Sequence, residues 1–171
     1  MSWAVWLTGR PAAGKTTLAR ALKELAADRG VALVHLESDA LRRILTPEAT
    51  YEPEERERFY EIVADMAALL AEQGFPVVVD ATAPRRAHRD RARNRIPQFL
   101  EAFVDTPAEV CERRDPKGLY AASRQGHAPH LPGAGEPYEE PVRPDVVVSG
   151  TAPPEEAVGA LWRVLHDRGF L

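Results

Sequence analysis

Gly9-Arg10-Pro11-Ala12-Ala13-Gly14-Lys15-Thr16 has glycines at the first and sixth positions, followed by Lys-Thr. That spacing is built for phosphate. The glycines let the backbone curl so that successive N–H groups point inward at phosphate oxygens. A helix that follows adds the positive end of its dipole. Lys15 reaches the terminal phosphates of a nucleoside triphosphate, and Thr16 offers a hydroxyl to Mg²⁺. Gly9, Ala12, Ala13, Gly14, Lys15, Thr16 and Thr17 are therefore the candidate ATP-binding residues.

Carboxylates come next, because phosphoryl transfer to a hydroxyl needs a held metal and a group to take or orient the acceptor's proton. Asp39 follows the apolar stretch ending at Leu36, and Asp80 ends Val77-Val78-Val79. Both are expected at the carboxyl edge of a parallel sheet, where such folds bind ligands. Asp39 is the candidate base, and Thr16, Asp39 and Asp80 are the candidate metal residues. Glu37 is a weaker candidate. The competing structural reading makes Asp39 the N-cap of a helix over 40–45 and Asp80 a turn carboxylate.

These groups need a frame. Trp3–Leu7, Val31–Leu36, Pro76–Asp80, Phe99–Val104 and Val146–Val148 read as short buried strands. Between them lie helical patterns: one through Leu18, Ala21, Leu22 and Leu25 to Gly30, and one from Pro53 to Gly74 with Phe59, Ile62, Val63, Met66 and Leu70 on one face. A charged helix is expected over 85–95, a short one over 107–114, and a last one carrying Val158, Leu161, Trp162 and Leu165. Strands alternating with helices give an α/β fold. We expect the three-layer P-loop NTPase arrangement, a parallel five-stranded sheet flanked by helices, over 1–171 as one domain. Residues 116–144 show no clear period and are too long for an idle connection, so they are expected to be a lid.

The chain has 171 residues, 44% hydrophobic and 28% charged, with net charge −4. Nothing in that balance calls for nucleic acid or an anionic membrane. One cysteine, Cys111, builds no disulfide framework and points to a reducing, cytoplasmic setting; it reads as packing. No apolar run is long enough to span a bilayer. Six arginines between Arg85 and Arg95 read mainly as a solvated face, with one or two in reach of a phosphate. Arg113, Arg114, Lys117 and Arg124 flank the expected lid and are candidates to close over the transferred phosphate. Phe59 and Trp162 read as core, Tyr51 and Tyr138 as stacking surfaces in loops.

Phe103-Val104-Asp105-Thr106-Pro107 and Cys111-Glu112-Arg113-Arg114-Asp115-Pro116-Lys117-Gly118-Leu119-Tyr120, then Arg124, Gly126 and Pro137-Tyr138-Glu139, closely resemble the corresponding stretches of adenylylsulfate (APS) kinases. The resemblance runs along nearly the whole chain. It implies transfer of the ATP γ-phosphate to the 3′-hydroxyl of adenylylsulfate with Mg²⁺, in a small-molecule kinase that is usually a homodimer. It further implies that Asp39 is a metal and base position, that Lys117 and Arg124 act from the lid, that Arg114 serves ATP, and that Arg42, Tyr51 and Arg56 face the acceptor. Departures cluster on the acceptor side. Glu37-Ser38-Asp39 stands for Asp-Gly-Asp, Phe59 and Glu61 for an Asn and an Arg, Ala83-Pro84 for Ser-Pro, and Leu131-Pro132-Gly133 for Phe-Thr-Gly. A stacking ring lost at Leu131 removes about 1–3 kcal/mol. Phe75 to Thr82 with the arginine helix also resembles small-molecule P-loop kinases related to polynucleotide kinase. That likeness keeps another hydroxyl acceptor, or a polynucleotide end, as the alternative.

Overall fold

The computed structural model describes all 171 residues. Five parallel strands form one sheet in the order β2-β3-β1-β4-β5. They are β1 (Ala4–Thr8), β2 (Val34–Glu37), β3 (Val77–Asp80), β4 (Phe99–Asp105) and β5 (Val146–Ser149). The connections are α1 (Lys15–Asp28), α2 (Ser38–Leu45), α3 (Pro53–Glu72), α4 (Arg86–Arg95), α5 (Ala108–Arg114) and α6 (Leu119–Arg124), and α7 (Pro154–Asp167) closes the chain. No helix is long and apolar enough to cross a membrane.

Alternation along β1 divides the core. Val5 and Leu7 join the cluster under α1 and α7, with Leu18, Leu22, Leu161 and Leu165. Ala4 and Trp6 point to the other face, with Phe59, Val63 and Ala67 of α3. Each fully buried Val or Leu contributes about 1.5–3 kcal/mol, so both helical layers are firmly held to the central strands. Trp6 satisfies its indole N–H on the Ala81 carbonyl at 3.1 Å.

Three expectations are refined. β2 starts at Val34 rather than Val31, because the Val31 N–H closes the end of α1 on the Ala26 carbonyl at 2.8 Å. On α3 the buried positions include Ala64, Ala67, Ala68 and Ala71, whereas Met66 and Leu70 pack only partly against the core; the small side chains let the helix lie close to the sheet. The arginines over 85–95 stay mainly on the surface as expected, carrying ion pairs there, but one of them is buried. Arg89 is 1% exposed and ion-pairs Glu101 at 2.6 Å. Arg85 pairs with Glu57, Arg91 with Glu61 and Asp65, Arg93 with Asp145, and Arg95 with Asp65. Arg86 donates to the Glu140 carbonyl. Arg89 also donates to the Glu139 carbonyl at 2.7 Å, so α4 anchors the end of the 116–144 segment to the sheet. Within that segment the structure adds the short helix α6, which periodicity did not reveal.

Candidate active site

The carboxyl edge of the sheet opens into a cavity of about 1130 Å³. That exceeds the roughly 300–1,000 Å³ of a site for one small ligand, so two substrates can share it.

One wall is the loop between β1 and α1. Gly14 has φ 104° and leads directly into α1, whose first turn has no side-chain cap. The orphan N–H groups there are left for an anion. Gly9 needs the absence of a side chain, because a Cβ would come 2.7 Å from the Val104 carbonyl. Lys15 is buried and curls back to donate to the Gly9 and Arg10 carbonyls, both at 2.9 Å. Burial pushes its ammonium down to about 8, with a small further push from Lys117, while the Asp80 carboxylate works against the shift.

The loop is braced from outside by Thr106 and Tyr120, which sequence reasoning missed, and by the candidate Arg114. The Thr106 hydroxyl donates to the Ala13 carbonyl at 2.8 Å, and the Tyr120 hydroxyl to the Pro11 carbonyl at 2.9 Å. Arg114 donates to the Gly150 carbonyl at 2.8 Å and lies 3.5 Å from the Ala12 and Ala13 carbonyls. Gly150, just past β5, fits because it has no side chain: a Cβ would fall 1.8 Å from Thr106 Oγ1 and 2.2 Å from the Ala13 carbonyl. The only signal in the sequence was a glycine directly after a sheet strand. Gly150→Ala is therefore expected to displace the phosphate loop. It should lower stability by about 1–3 kcal/mol and weaken ATP binding, as read by urea unfolding and nucleotide titration. Unchanged values in both would mean that the loop yields freely.

The same cavity carries the acceptor candidates. Asp39, Arg42, Tyr51, Arg56, Asp80, Lys117 and Leu131 all line it, as do Thr16 and Thr17. Asp39 is not an N-cap. Glu37 holds that position, and Asp39 lies inside the first turn of α2, where it ion-pairs with Lys117. The favourable place for a carboxylate near a helix N-terminus is thus combined with a cation brought in by the 116–144 segment. Burial lowers the Lys117 ammonium below its ordinary value, opposed by the Glu37 carboxylate. Arg56 donates to the His130 carbonyl and so ties α3 to the same segment.

Asp80 is 3% exposed, faces His35 Nε2 at 3.5 Å, and its Oδ2 has no hydrogen-bond partner. That oxygen is the one turned to His35, while the carboxylate as a whole lines the phosphate site, where it is suited to a hard cation or its water. No cluster of three or more His, Cys, Asp or Glu side chains is present to hold an ion alone. The donor set therefore fits Mg²⁺, which is usually held by one or two carboxylates, substrate phosphates and water.

Several candidates lie elsewhere. Arg113 and Arg124 do not line the cavity; Arg124, at the end of α6, reaches Glu112 at 3.8 Å on the outer side. None of the α4 arginines lines it either. Tyr138 packs its ring on Phe103 and gives its hydroxyl a 2.9 Å contact with Thr8, so it braces the sheet edge rather than offering a stacking face. Cys111 is buried packing, with its thiol pushed up by burial. Glu61 turns away to Arg91, which places that departure outside the site. Phe59 is buried directly beneath Arg42, with the guanidinium 3.8 Å from its ring centre.

Known proteins share this chain's sequence pattern and fold. A family model described as adenylylsulphate kinase matches residues 1–149. An adenylyl-sulfate kinase of Paraburkholderia xenovorans is 40% identical over 167 residues, covering 96% of this chain and 93% of its own. One from Rippkaea orientalis is 38% identical over 168 residues, covering 98% and 93%. The solved structure of the Mycobacterium tuberculosis APS kinase in complex with AMPPNP and APS superposes with a TM-score of 0.91 at 32% identity, over 96% of this chain and 98% of that one. Since the family match takes in the phosphate loop, the Asp39 edge and the whole 116–144 segment together, the chain belongs to the adenylylsulphate kinase family.

Proposed function

We propose that this kinase transfers the γ-phosphoryl group of ATP to the 3′-hydroxyl of adenylylsulfate. The observation that carries the reading is one cavity lined together by the phosphate-binding loop and by Asp39, Arg42, Tyr51 and Arg56. The loop amides and Lys15 hold the β- and γ-phosphates, and Arg114 closes over them from α5. Arg42 and Arg56 take the anionic end of the acceptor, and Tyr51 stacks on its base. Leu131 supplies an aliphatic wall where a second ring is absent. Asp39 orients the 3′-hydroxyl and receives its proton as the oxygen bonds to the γ-phosphorus and the bond to the β-phosphate oxygen breaks, giving ADP.

Thr16, Asp39 and Asp80 would hold Mg²⁺, which when bound neutralises charge on the phosphate oxygens. Residues 116–144 act as the lid. Their Lys117 rests on Asp39 when the γ-phosphate is absent and moves to that phosphate when ATP fills the site, freeing the carboxylate to take a proton. A polynucleotide end is not favoured, because every arginine of the 85–95 stretch has a partner within the protein.

The test is ATP turnover with Mg²⁺, with and without adenylylsulfate. Strong stimulation and a 3′-phosphorylated product are expected. ATP binding without stimulation would mean that the acceptor wall has been rebuilt for another small hydroxyl compound.

A further inference from the structure

Tyr51 is a non-glycine residue in the left-handed region, with φ 60°. Such a conformation costs about 1–3 kcal/mol and persists only where its surroundings over-determine it. The surroundings here are one carboxylate. Glu55 Oε2 accepts from the Tyr51 N–H at 2.8 Å, from the Thr50 N–H at 2.6 Å and from the Thr50 hydroxyl at 3.1 Å. Its other oxygen, Oε1, ion-pairs with Arg42. The Arg42 guanidinium is then held between two rings, 3.8 Å from the centre of Phe59 below and 4.7 Å from that of Tyr51 above. Arg42 and Tyr51 line the cavity and Glu55 does not.

We propose that Glu55 is a positioning residue that locks Arg42 and the Tyr51 ring together as one acceptor-binding unit. The stack has a buried floor in Phe59, a charged middle layer in Arg42 and an outer ring in Tyr51, which is 47% exposed. Without the carboxylate, Tyr51 has no reason to stay in the left-handed region, and the 50–51 turn relaxes away from Arg42. Arg42 keeps only Phe59 and a 3.4 Å contact with the Thr46 hydroxyl. Glu55 touches Arg42 and the 50–51 turn and no residue of the phosphate loop, so it acts on the acceptor and not on ATP. Burial alone would push the Glu55 carboxyl up, but the Tyr51 N–H, Arg42 and the Thr50 N–H outweigh it and hold it below its ordinary value.

The inference rests on the acceptor reading above, so the test has two arms. Glu55→Gln keeps the volume and removes the charge, and its amide cannot satisfy Arg42 and both backbone donors at once. In steady-state kinetics it is expected to raise KM for adenylylsulfate about 10-fold or more, with KM for ATP and kcat little changed. Glu55→Asp, which keeps the charge, recovers part of the loss. An equal rise in both KM values, or no rise, overturns the assignment. The second arm needs no acceptor: amide exchange over residues 49–52 of the ligand-free chain is expected to quicken in Glu55→Gln. Unchanged exchange there overturns the clasp itself. Failure of wild-type turnover with adenylylsulfate overturns only the choice of acceptor.

Discussion

Asp39→Asn is expected to lower phosphoryl transfer by about 10²–10⁴-fold while ATP binding survives. The nucleotide is gripped by the β1–α1 loop, whose bracing comes from Thr106, Tyr120 and Arg114. None of those contacts passes through α2, so the loop's own grip does not depend on the carboxylate. The transfer does. A hydroxyl attacking phosphorus must lose its proton, and Asp39 is the carboxylate that lines the cavity in the first turn of α2. Asparagine keeps the size and one hydrogen bond but has no place for the proton. It also releases Lys117, which ion-pairs with Asp39. The measurement is steady-state turnover beside titration with a non-hydrolysable ATP analogue. Near-normal turnover would move the base to another group. Loss of nucleotide binding would mean that Asp39 matters chiefly as a cation ligand.

Much of this site was legible because its residues announce themselves by order along the chain. A glycine-rich loop between an apolar strand and an amphipathic helix has few alternatives, and parallel strands bring their carboxyl ends to one edge. Asp39, Asp80 and the phosphate loop therefore had to meet. What could not be read was anything set by side-chain direction. Arg89 looks like its neighbours in the sequence, yet it is buried against Glu101 while they stay on the surface. Arg124 sits in the expected segment, but α6 turns it to the outer side. Tyr138 was offered as a stacking ring and instead packs on Phe103. Gly150 shows in the sequence only as a glycine after a strand, because its constraint comes from Thr106 and Ala13, which are distant in sequence. Glu55 stands among Glu52, Glu54 and Glu57, and only the fold shows which of these carboxylates joins Arg42 to Tyr51.

The same reasoning gives Lys15 two separable roles. Lys15→Met keeps the aliphatic stem and removes the charge, and is expected to lower kcat/KM by about 10²–10³-fold. The ammonium is buried against its own loop, where burial has pushed it down to about 8 from an ordinary 10.5. In the unfolded chain the group keeps its proton up to about 10.5; in the folded chain it loses it near 8. Between those values the unfolded state binds more protons, so this group makes the ligand-free protein more stable as pH rises through that window. Arrival of a triphosphate reverses the balance. Its negative oxygens favour the charged ammonium, so binding takes up about half a proton near pH 8 and close to one about a unit higher, and ATP affinity falls as pH climbs further. Titration calorimetry in buffers of different ionisation enthalpy reads that proton directly. The expected result is uptake in the wild type and none in Lys15→Met. Equal uptake in both would assign the proton to another group, and Lys15 would then be a fixed charge whose contribution to ATP binding does not change with pH.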